Sequence, residues 1–586
     1  MMSTTTTTST RGAEWLFAAT THDTMLTPEG LSDDHRLIAQ TAAEFLEKEL
    51  LPALPQMETK DWALARAMVK RCGDLGLLGT DVPEEFGGID LDKAAATVVG
   101  EVIGGSASFA TTFGAQTGLA IVPILCFGTE DQKKKYLPGI VSGELVGAYC
   151  LSESGSGSDA LGARAKATKQ ADGSWVLNGE KMWITNGGFA DIYIVFAKVD
   201  GEQFSAFIVE KDFPGVSHGK EEHKMGLHGS STTPVILQDA RVPAENLLGE
   251  VGKGHKIAFN VLNYGRFKLA GMCSGGAKMA IGEAVRYAST RRQFGQAIAT
   301  FGAIKFKLGD MIAREFGVES ALYRTTGLID DAVERGGGSA AAALAALEEY
   351  AIEASILKVA SSEMIDYVLD ENVQIHGGNG YVHDYPAEGH YRDARVNRIF
   401  EGTNEINRLL VPGMIMKRAL KGGLPLIAAA QALQGELLNV GPKTDAGDPA
   451  VAQIAAMKKA AIMVMGLAMQ TYAMKVEEQQ EVLMLASDIL MDTFVAESAW
   501  LRAGRSQVKG LPTAALQQET AALLLHDAGL RVDTAARTAI QAMTTGDTQR
   551  TMLAALRRVL KVSPVNTIAI RRRLADAALE KRAYIF

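Results

Sequence analysis

A chain of 586 residues is too long for one hydrophobic core and divides into three or four domains, with 47% hydrophobic residues to fill them. Its formal net charge of -9 excludes a general nucleic-acid binder, because neutralising phosphates takes clustered Lys and Arg. The four cysteines, Cys72, Cys126, Cys150 and Cys273, are dispersed and form no CxxC pair, which excludes a disulfide framework and a cysteine zinc site and fits a reducing, cytoplasmic compartment.

The first residues, MMSTTTTTST, are polar and of low complexity, without the basic and apolar regions of a secretory signal, so residues 1–30 read as a disordered, extended segment. No stretch reaches the roughly 18 uninterrupted apolar residues of a membrane span. Residues 31–146 carry a helical period: LSDDHRLIAQTAAEFLEKELLPAL opens on a Ser32-Asp33 cap, and Pro52 is expected to end that helix. Over 147–250 the period changes to two, in WVLNGEKMWI, ADIYIVFAKV and SAFIVEKDF, with turns at Asp172-Gly173 and Asp200-Gly201, which predicts a small antiparallel β-domain. Helical periodicity returns over 251–420. A loop over 421–448 leads to a further helical segment, 449–586, rich in methionine. Those methionines read as gap-filling core, with a soft ligand-binding face as the alternative. From Arg550 to Phe586 there are nine Lys and Arg against two acids, read as a solvated face or as a peripheral contact with an acidic partner or with anionic lipid at an inner membrane. The fold class is therefore α+β and mainly α: helical, β, helical bundle, helical extension.

Several short motifs bear on chemistry. SESGSGSDALG, 152–162, contains a G-x-G-x-x-A string, but a strand, a turn and a strand follow it rather than a helix, which removes the dinucleotide-fold reading. Such a loop still presents N–H and hydroxyl donors to a flat ring or a phosphate, or is a plain flexible connection. In MWITNGG, 182–188, Trp183 and Thr185 share one face of a strand, suited to stacking on a ring and bonding its edge; a buried core Trp is the competing reading. TRRQFGQ, 290–296, offers planar donors in Arg291 and Arg292, or ordinary surface charge. VQIHGGNGY, 373–381, ends a helix in small residues that let backbone approach a ligand or simply cap the helix. His376, His383 and His390 recur every seven residues without a matching acidic spacing, so no metal site is expected.

In this order the segments resemble the acyl-CoA dehydrogenase family of flavoenzymes, over about Asp33 to Leu420. AYCLSESGSGSD is similar to its first signature and QIHGGNGYVHDYPAEGHYRDARVNRIFEGTNEIN to its second. The resemblance implies FAD. Tyr149, Cys150, Leu151, Ser152 and Ser158 would line the flavin and its substrate-side edge, with Trp183, Ile184 and Thr185 on the adjacent strand. Arg291, Gln293 and Phe294, and the turn Gln374, Ile375, His376, Gly377, Gly378, would reach FAD on a neighbouring subunit. Thr403, Asn404 and Glu405 would hold the pyrophosphate end. Ser158, Asn263, Tyr264, Arg266 and Gly402 would contact the acyl-CoA. Ser152-Glu153-Ser154 stands where the family has Thr-Glu-Pro, and losing the proline predicts a looser loop.

The implied reaction is α,β-dehydrogenation of an acyl thioester, with Glu401 in RIFEGTNEIN as the base. An ordinary carboxylate, with a pKa of about 4.3, is too weak; desolvation beside Ile399 and Phe400 should raise it. Gly402 lets the thioester lie near the backbone, where the Glu401 N–H and a ribityl hydroxyl would bind the enolate oxygen. Some relatives carry the base at the position of Gly265, and glycine leaves Glu401 alone in that role. The extension resembles the very-long-chain branch, which implies a homodimer acting on long acyl-CoA esters in fatty-acid β-oxidation and passing electrons to an electron-transfer flavoprotein. Depth of a pocket near GGSASFATTFGAQTG, 104–118, would set chain length. An oxygen-using acyl-CoA oxidase and a non-enzymatic acyl-CoA-binding assembly factor are the alternatives.

Overall fold

The computed structural model describes residues 11–21, 25–438 and 447–586. Its first domain holds α1 (Asp33–Phe45), α2 (Leu51–Met57), α3 (Trp62–Asp74), α4 (Lys93–Ile103), α5 (Ser108–Gly114), α6 (Ile121–Phe127) and α7 (Glu130–Val141). Helix α1 starts where the sequence places it: the Ser32 hydroxyl accepts from the His35 N–H, and the Ser32 N–H donates back to the His35 ring. Pro52 does not end the helix as expected. The chain continues through a π-turn, Leu46–Leu50, and the wider turn just before Pro52 lets the helix run on past a residue that has no N–H to donate.

The middle domain is an eight-stranded sheet of β1 (Gly147–Cys150), β2 (Lys166–Lys169), β3 (Trp175–Thr185), β4 (Ile192–Val199), β5 (Gln203–Glu210), β6 (Val216–His218), β7 (Thr232–Val242) and β8 (Leu247–Leu248). The strand order is β6-β7-β3-β2-β4-β5-β8, with β1 against β4. The sheet is mixed rather than antiparallel throughout, since both β1 and β2 run parallel to β4. One face packs on its own core around Trp175, Phe207 and Val195; the other, with Phe196 and Ile208, joins the helical core.

The third domain is built on α8 (Gly254–Thr290), the hairpin β9 (Arg292–Gln293) and β10 (Gln296–Ala297), α9 (Gly302–Arg335), α10 (Ala340–Glu349), α11 (Ala351–His376), α12 (Ala387–Ala394) and α13 (Asn404–Leu420). The extension is α14 (Leu426–Leu438), α15 (Pro449–Tyr472), α16 (Gln480–Val508), α17 (Ala514–Met543), α18 (Gly546–Val559) and α19 (Thr567–Lys581). Part of the expected loop, Leu426–Leu438, is thus a helix; 439–446 lies outside the described residues.

Extension and third domain share one continuous core, in which Met457, Met463, Met465 and Met491 are buried as gap-fillers. Charged groups cross the same boundary. Arg502 is fully buried and donates to Glu29 and Glu319, and Tyr584 donates to Glu319. Several of the basic residues near the C-terminus are engaged internally: Arg571 pairs with Asp310 and Asp527, and Arg573 with Glu519.

The N-terminal segment departs from the expected disorder where it is described. Ala13, Trp15 and Leu16 are buried, the Ala13 N–H and the Trp15 indole both donate to Glu353, and Trp15 lies 5.0 Å from Phe494. Residues 1–10 and 22–24 lie outside the described residues. Two helical stretches, Ser108–Phe127 and Pro449–Glu478, are long and apolar enough to cross a membrane by average composition although polar residues interrupt both; most of each is buried within the fold.

Candidate active site

The stretch 398–407 reverses the chain between α12 and α13. Glu401 and Gly402 adopt φ of 58° and 80°, both left-handed, before Thr403 caps α13 by accepting from the Ile406 N–H. Glycine takes that conformation freely, whereas a glutamate held there carries roughly 1–3 kcal/mol of strain. The turn is held from two sides. Arg266 Nε donates to the Glu401 carbonyl at 3.0 Å, and Asn407 Nδ2 donates to the carbonyls of Gly402 at 2.9 Å and Thr403 at 3.1 Å.

The strained turn aims the Glu401 side chain into a narrow cleft of about 120 Å³. Glu401 Oε2 is buried there without a hydrogen-bond partner among the described residues. Burial pushes its carboxyl up to about 7, opposed by the nearby charges of Arg266 and Lys358. Opposite it stands Gly265, where a Cβ would sit 2.6 Å from Glu401 Oε2, so any side chain there would displace the carboxyl. The Glu401 N–H has no partner among the described residues and is left to donate.

From there the cleft follows one face of α8, through Gly265, Leu269, Met272, Gly276 and Met279, about 21 Å of helix. Small residues of the expected stretch, Gly104, Ala107, Ala110, Gly114, Ala115 and Gly118, form the facing wall. Thr185 opens on the same cleft from β3. A bulge between Lys181 and Ile184 throws Trp183 out of the sheet at φ 59°, leaving it 59% exposed rather than in the core. Tyr149 is half-buried, and its hydroxyl is pushed well up by burial and by the charge of Glu401.

The loop at 152–162 is tied down by hydrogen bonds in place of the proline. Glu153 accepts from Lys181 Nζ at 2.7 Å and from the N–H groups of Arg164 and Ala165, and Ser156 Oγ donates to the Asp159 carbonyl. Ser152 and Ser158 stay open, and the Ser152 carbonyl accepts from the Met182 N–H, fastening the loop to β3. Glu405, Arg291, Gln293, Phe294, Gln374, Gly377 and Gly378 are exposed, Phe294 at 92%, and none of them lines the Glu401 cleft.

Six residues expected to contact cofactor or substrate have side chains committed elsewhere in the fold. Cys150 and Ile184 point into the β-domain core because strand residues alternate faces, which leaves Leu151 and Thr185 turned away from it. Tyr264 is fully buried and donates to Asp81, with its ring beneath Lys268 rather than open to the cleft. Ile375 is core, and the buried His376 ring stacks 4.0 Å from Tyr287 with its Nδ1 at the Asn372 carbonyl. Asn404 is buried among Lys358, Ser362 and Glu363. Asn263 and Arg266 bond each other, and Arg266 serves the base turn. His383 pairs with Glu388 and His390 with Glu283, so the three histidines do not converge.

Sequence reasoning missed Lys268, His390, Asp393 and Asn397, which line the cleft. Lys268, three residues after Gly265 on α8, was findable from helical spacing once Gly265 was placed.

The fold and this site define a dehydrogenase-type enzyme in which a desolvated carboxylate faces a long, mostly apolar cleft. Four domain descriptions match in series: "Acyl-CoA dehydrogenase, N-terminal domain" at 32–144, "middle domain" at 148–240, and "C-terminal domain" at 252–416 and again at 456–558. A probable acyl-CoA dehydrogenase of Bacillus subtilis is 45% identical over 98% of both chains. The human mitochondrial short-chain specific acyl-CoA dehydrogenase is 39% identical over 66% of this chain and 91% of its own. The crystal structure of an acyl-CoA dehydrogenase complexed with FAD from Bacillus anthracis superposes with a TM-score of 0.96 at 45% identity, covering 98% of this chain and 100% of that one. The chain belongs to the acyl-CoA dehydrogenase family.

Proposed function

We propose that the chain oxidises long-chain acyl-CoA esters to trans-2-enoyl-CoA in fatty-acid β-oxidation, as a homodimer that passes electrons to an electron-transfer flavoprotein. The enzyme is an FAD-dependent acyl-CoA dehydrogenase. The residues present fit an isoalloxazine: Trp183 is lifted out of its sheet, Thr185 and the orphaned Glu401 carboxyl open on one cleft, and a Cβ added at Gly377 or Gly378 would meet nothing within 4 Å. Tyr149, Leu151, Ser152, Ser158, Trp183 and Thr185 would hold the ring. Thr403 and Glu405 would sit at the pyrophosphate end. Arg291, Gln293, Phe294, Gln374, Gly377 and Gly378, exposed and away from the cleft, would hold FAD across two copies of the chain, which supports the homodimer.

When bound, the flavin supplies the hydride acceptor. The chain supplies the rest. Glu401 takes the α-proton, with a carboxyl already raised toward working pH and no competing donor on Oε2. Its N–H is free to meet the developing enolate oxygen, and Gly402 lets the thioester approach that donor. The narrow apolar walls along α8 exclude water from the acyl tail.

The observation that carries the reading is the unpartnered, desolvated Glu401 carboxyl at the end of the cleft. Length of the cleft along α8 and the helical extension support long acyl chains. Anaerobic bleaching of the flavin by acyl-CoA esters of graded length tests this: long chains are expected to bleach fastest at low concentration. Bleaching by butyryl-CoA alone would favour a short-chain enzyme, and absence of bleaching by any ester would overturn the dehydrogenase reading. Stoichiometric peroxide under air would mark an oxidase.

A further inference from the structure

We propose that the C-terminal extension positions the base: Asp488 on α16 holds Arg408, and Arg408 clamps the first turn of α13, and with it the turn that carries Glu401, onto α11. The proposal rests on Glu401 being the base of the dehydrogenase. Every link is a direct contact. Arg408 Nε donates to Asp488 Oδ1 at 2.7 Å, while Nη1 and Nη2 of the same guanidinium donate to Glu363 Oε1 at 2.6 Å and Oε2 at 2.9 Å. Glu363 Oε1 also accepts from Asn404 Nδ2 at 3.1 Å. Asn404 and Arg408 stand one helical turn apart on α13, so they project from the same face and grip one carboxylate. Asn404 is buried, opens α13 three residues after Glu401, and has its amide oxygen held by Lys358 Nζ at 2.6 Å.

The turn needs such support. Glu401 keeps a left-handed φ that a residue with a side chain adopts only where its surroundings over-determine it. Arg266 and Asn407 fasten the carbonyls of Glu401, Gly402 and Thr403 from within, and the clamp fixes the start of α13 from outside. An exposed ion pair is too weak for this, but the Arg408 side chain is only 13% exposed, and its guanidinium is engaged on two edges, the geometry in which charge-assisted bonds are strongest. Asp488 belongs to the extension, which lines no part of the Glu401 cleft among the described residues, so the base is held in place by a domain it does not face. Asp488, Arg408 and Glu363 also border a cavity of about 620 Å³ between the extension and the third domain, so a smaller side chain at 488 adds to existing space rather than hollowing a packed core.

Asp488→Ala removes the outer link, Asp488→Glu keeps its charge, and Arg531→Met, which breaks the Asp492 pair inside the extension, is the control. Hydrogen exchange followed by mass spectrometry is expected to show the amides of 401–408 exchanging about tenfold faster in Asp488→Ala, with Asp488→Glu near wild type and Arg531→Met unchanged. In FAD-loaded enzyme, anaerobic bleaching by saturating long-chain acyl-CoA should slow about tenfold in Asp488→Ala while acyl-CoA affinity is retained. The isotope effect on bleaching by α-dideuterated acyl-CoA should grow, because a misplaced base retards proton abstraction and not binding. Exchange is read without turnover, so a failure of the reaction assignment shows separately from a failure of this one. If Asp488→Ala does not fold, Arg408→Lys, which keeps the charge and loses the fork, must give the same results. Amides of 401–408 that exchange as in wild type, or bleaching slowed equally in Arg531→Met with an unchanged isotope effect, would make the clamp structural only and overturn the proposal.

Discussion

Two buried carboxylates in this molecule meet opposite fates. Glu401 lies in the cleft with one oxygen unpartnered and its carboxyl raised to about 7; Glu319 lies in the boundary with the extension and is held down to about 2. Burial acts on both in the same direction. What differs is company: Glu319 receives Arg502, Lys278 and Tyr584, whereas the charges near Glu401 make no direct bond to its carboxyl. One arrangement fastens a domain. The other keeps a proton acceptor poised at neutral pH.

The contrast breaks most sharply at the cleft. Glu401→Gln should lower turnover by about 10⁴-fold while FAD and acyl-CoA still bind, as followed by flavin absorbance and a binding titration. At the boundary, Arg502→Met leaves Glu29 without its cation and Glu319 with Lys278 alone, and should cost about 3–5 kcal/mol, seen as a lower unfolding midpoint with the bleaching rate of the folded enzyme unchanged. Gly265→Ala drives a methyl to within 2.6 Å of the carboxyl and should slow bleaching by about 10²-fold through misplacement of the base, with little change in unfolding midpoint.

The smallest effect sharpens the comparison through pH. Glu401 is raised above its unfolded value of 4.5, so the folded protein holds a proton that the unfolded chain releases, and stability falls as pH rises from about 4.5 to about 7. Glu319 is depressed, so its contribution is full above about 4.5 and is lost as pH falls toward 2. Denaturant titrations of Glu401→Gln against wild type should therefore show the variant gaining roughly 1–3 kcal/mol at alkaline relative to acidic pH. Equal pH dependence in the two proteins would mean that the carboxyl is solvated.

Much of the site was legible because its parts are local. RIFEGTNEIN places an acid next to glycine between apolar residues, and the left-handed pair Glu401-Gly402 is the backbone form of that pattern. Contiguous signatures do not show side-chain direction where the backbone alternates: Cys150 and Ile184 belong to runs in which every second side chain must enter the sheet core, a rule already available in the period of two. Tyr264 shares a motif with Gly265 but lies on another face of α8. Trp15 shows what local reading cannot supply. Its partners Glu353 and Phe494 stand more than three hundred residues away, so a polar leader hides a segment that crosses two domains. Helix α14 was hidden by the glycine and proline signals at both ends of its stretch.

The measurement closest to the central claim is the pH dependence of anaerobic flavin bleaching by low concentrations of a long-chain acyl-CoA. A desolvated, unpartnered Glu401 predicts a rate that climbs as pH rises through about 7 and then levels. A rate flat from about pH 5 to about pH 9, as an ordinary carboxylate of pKa about 4.3 would give, contradicts it.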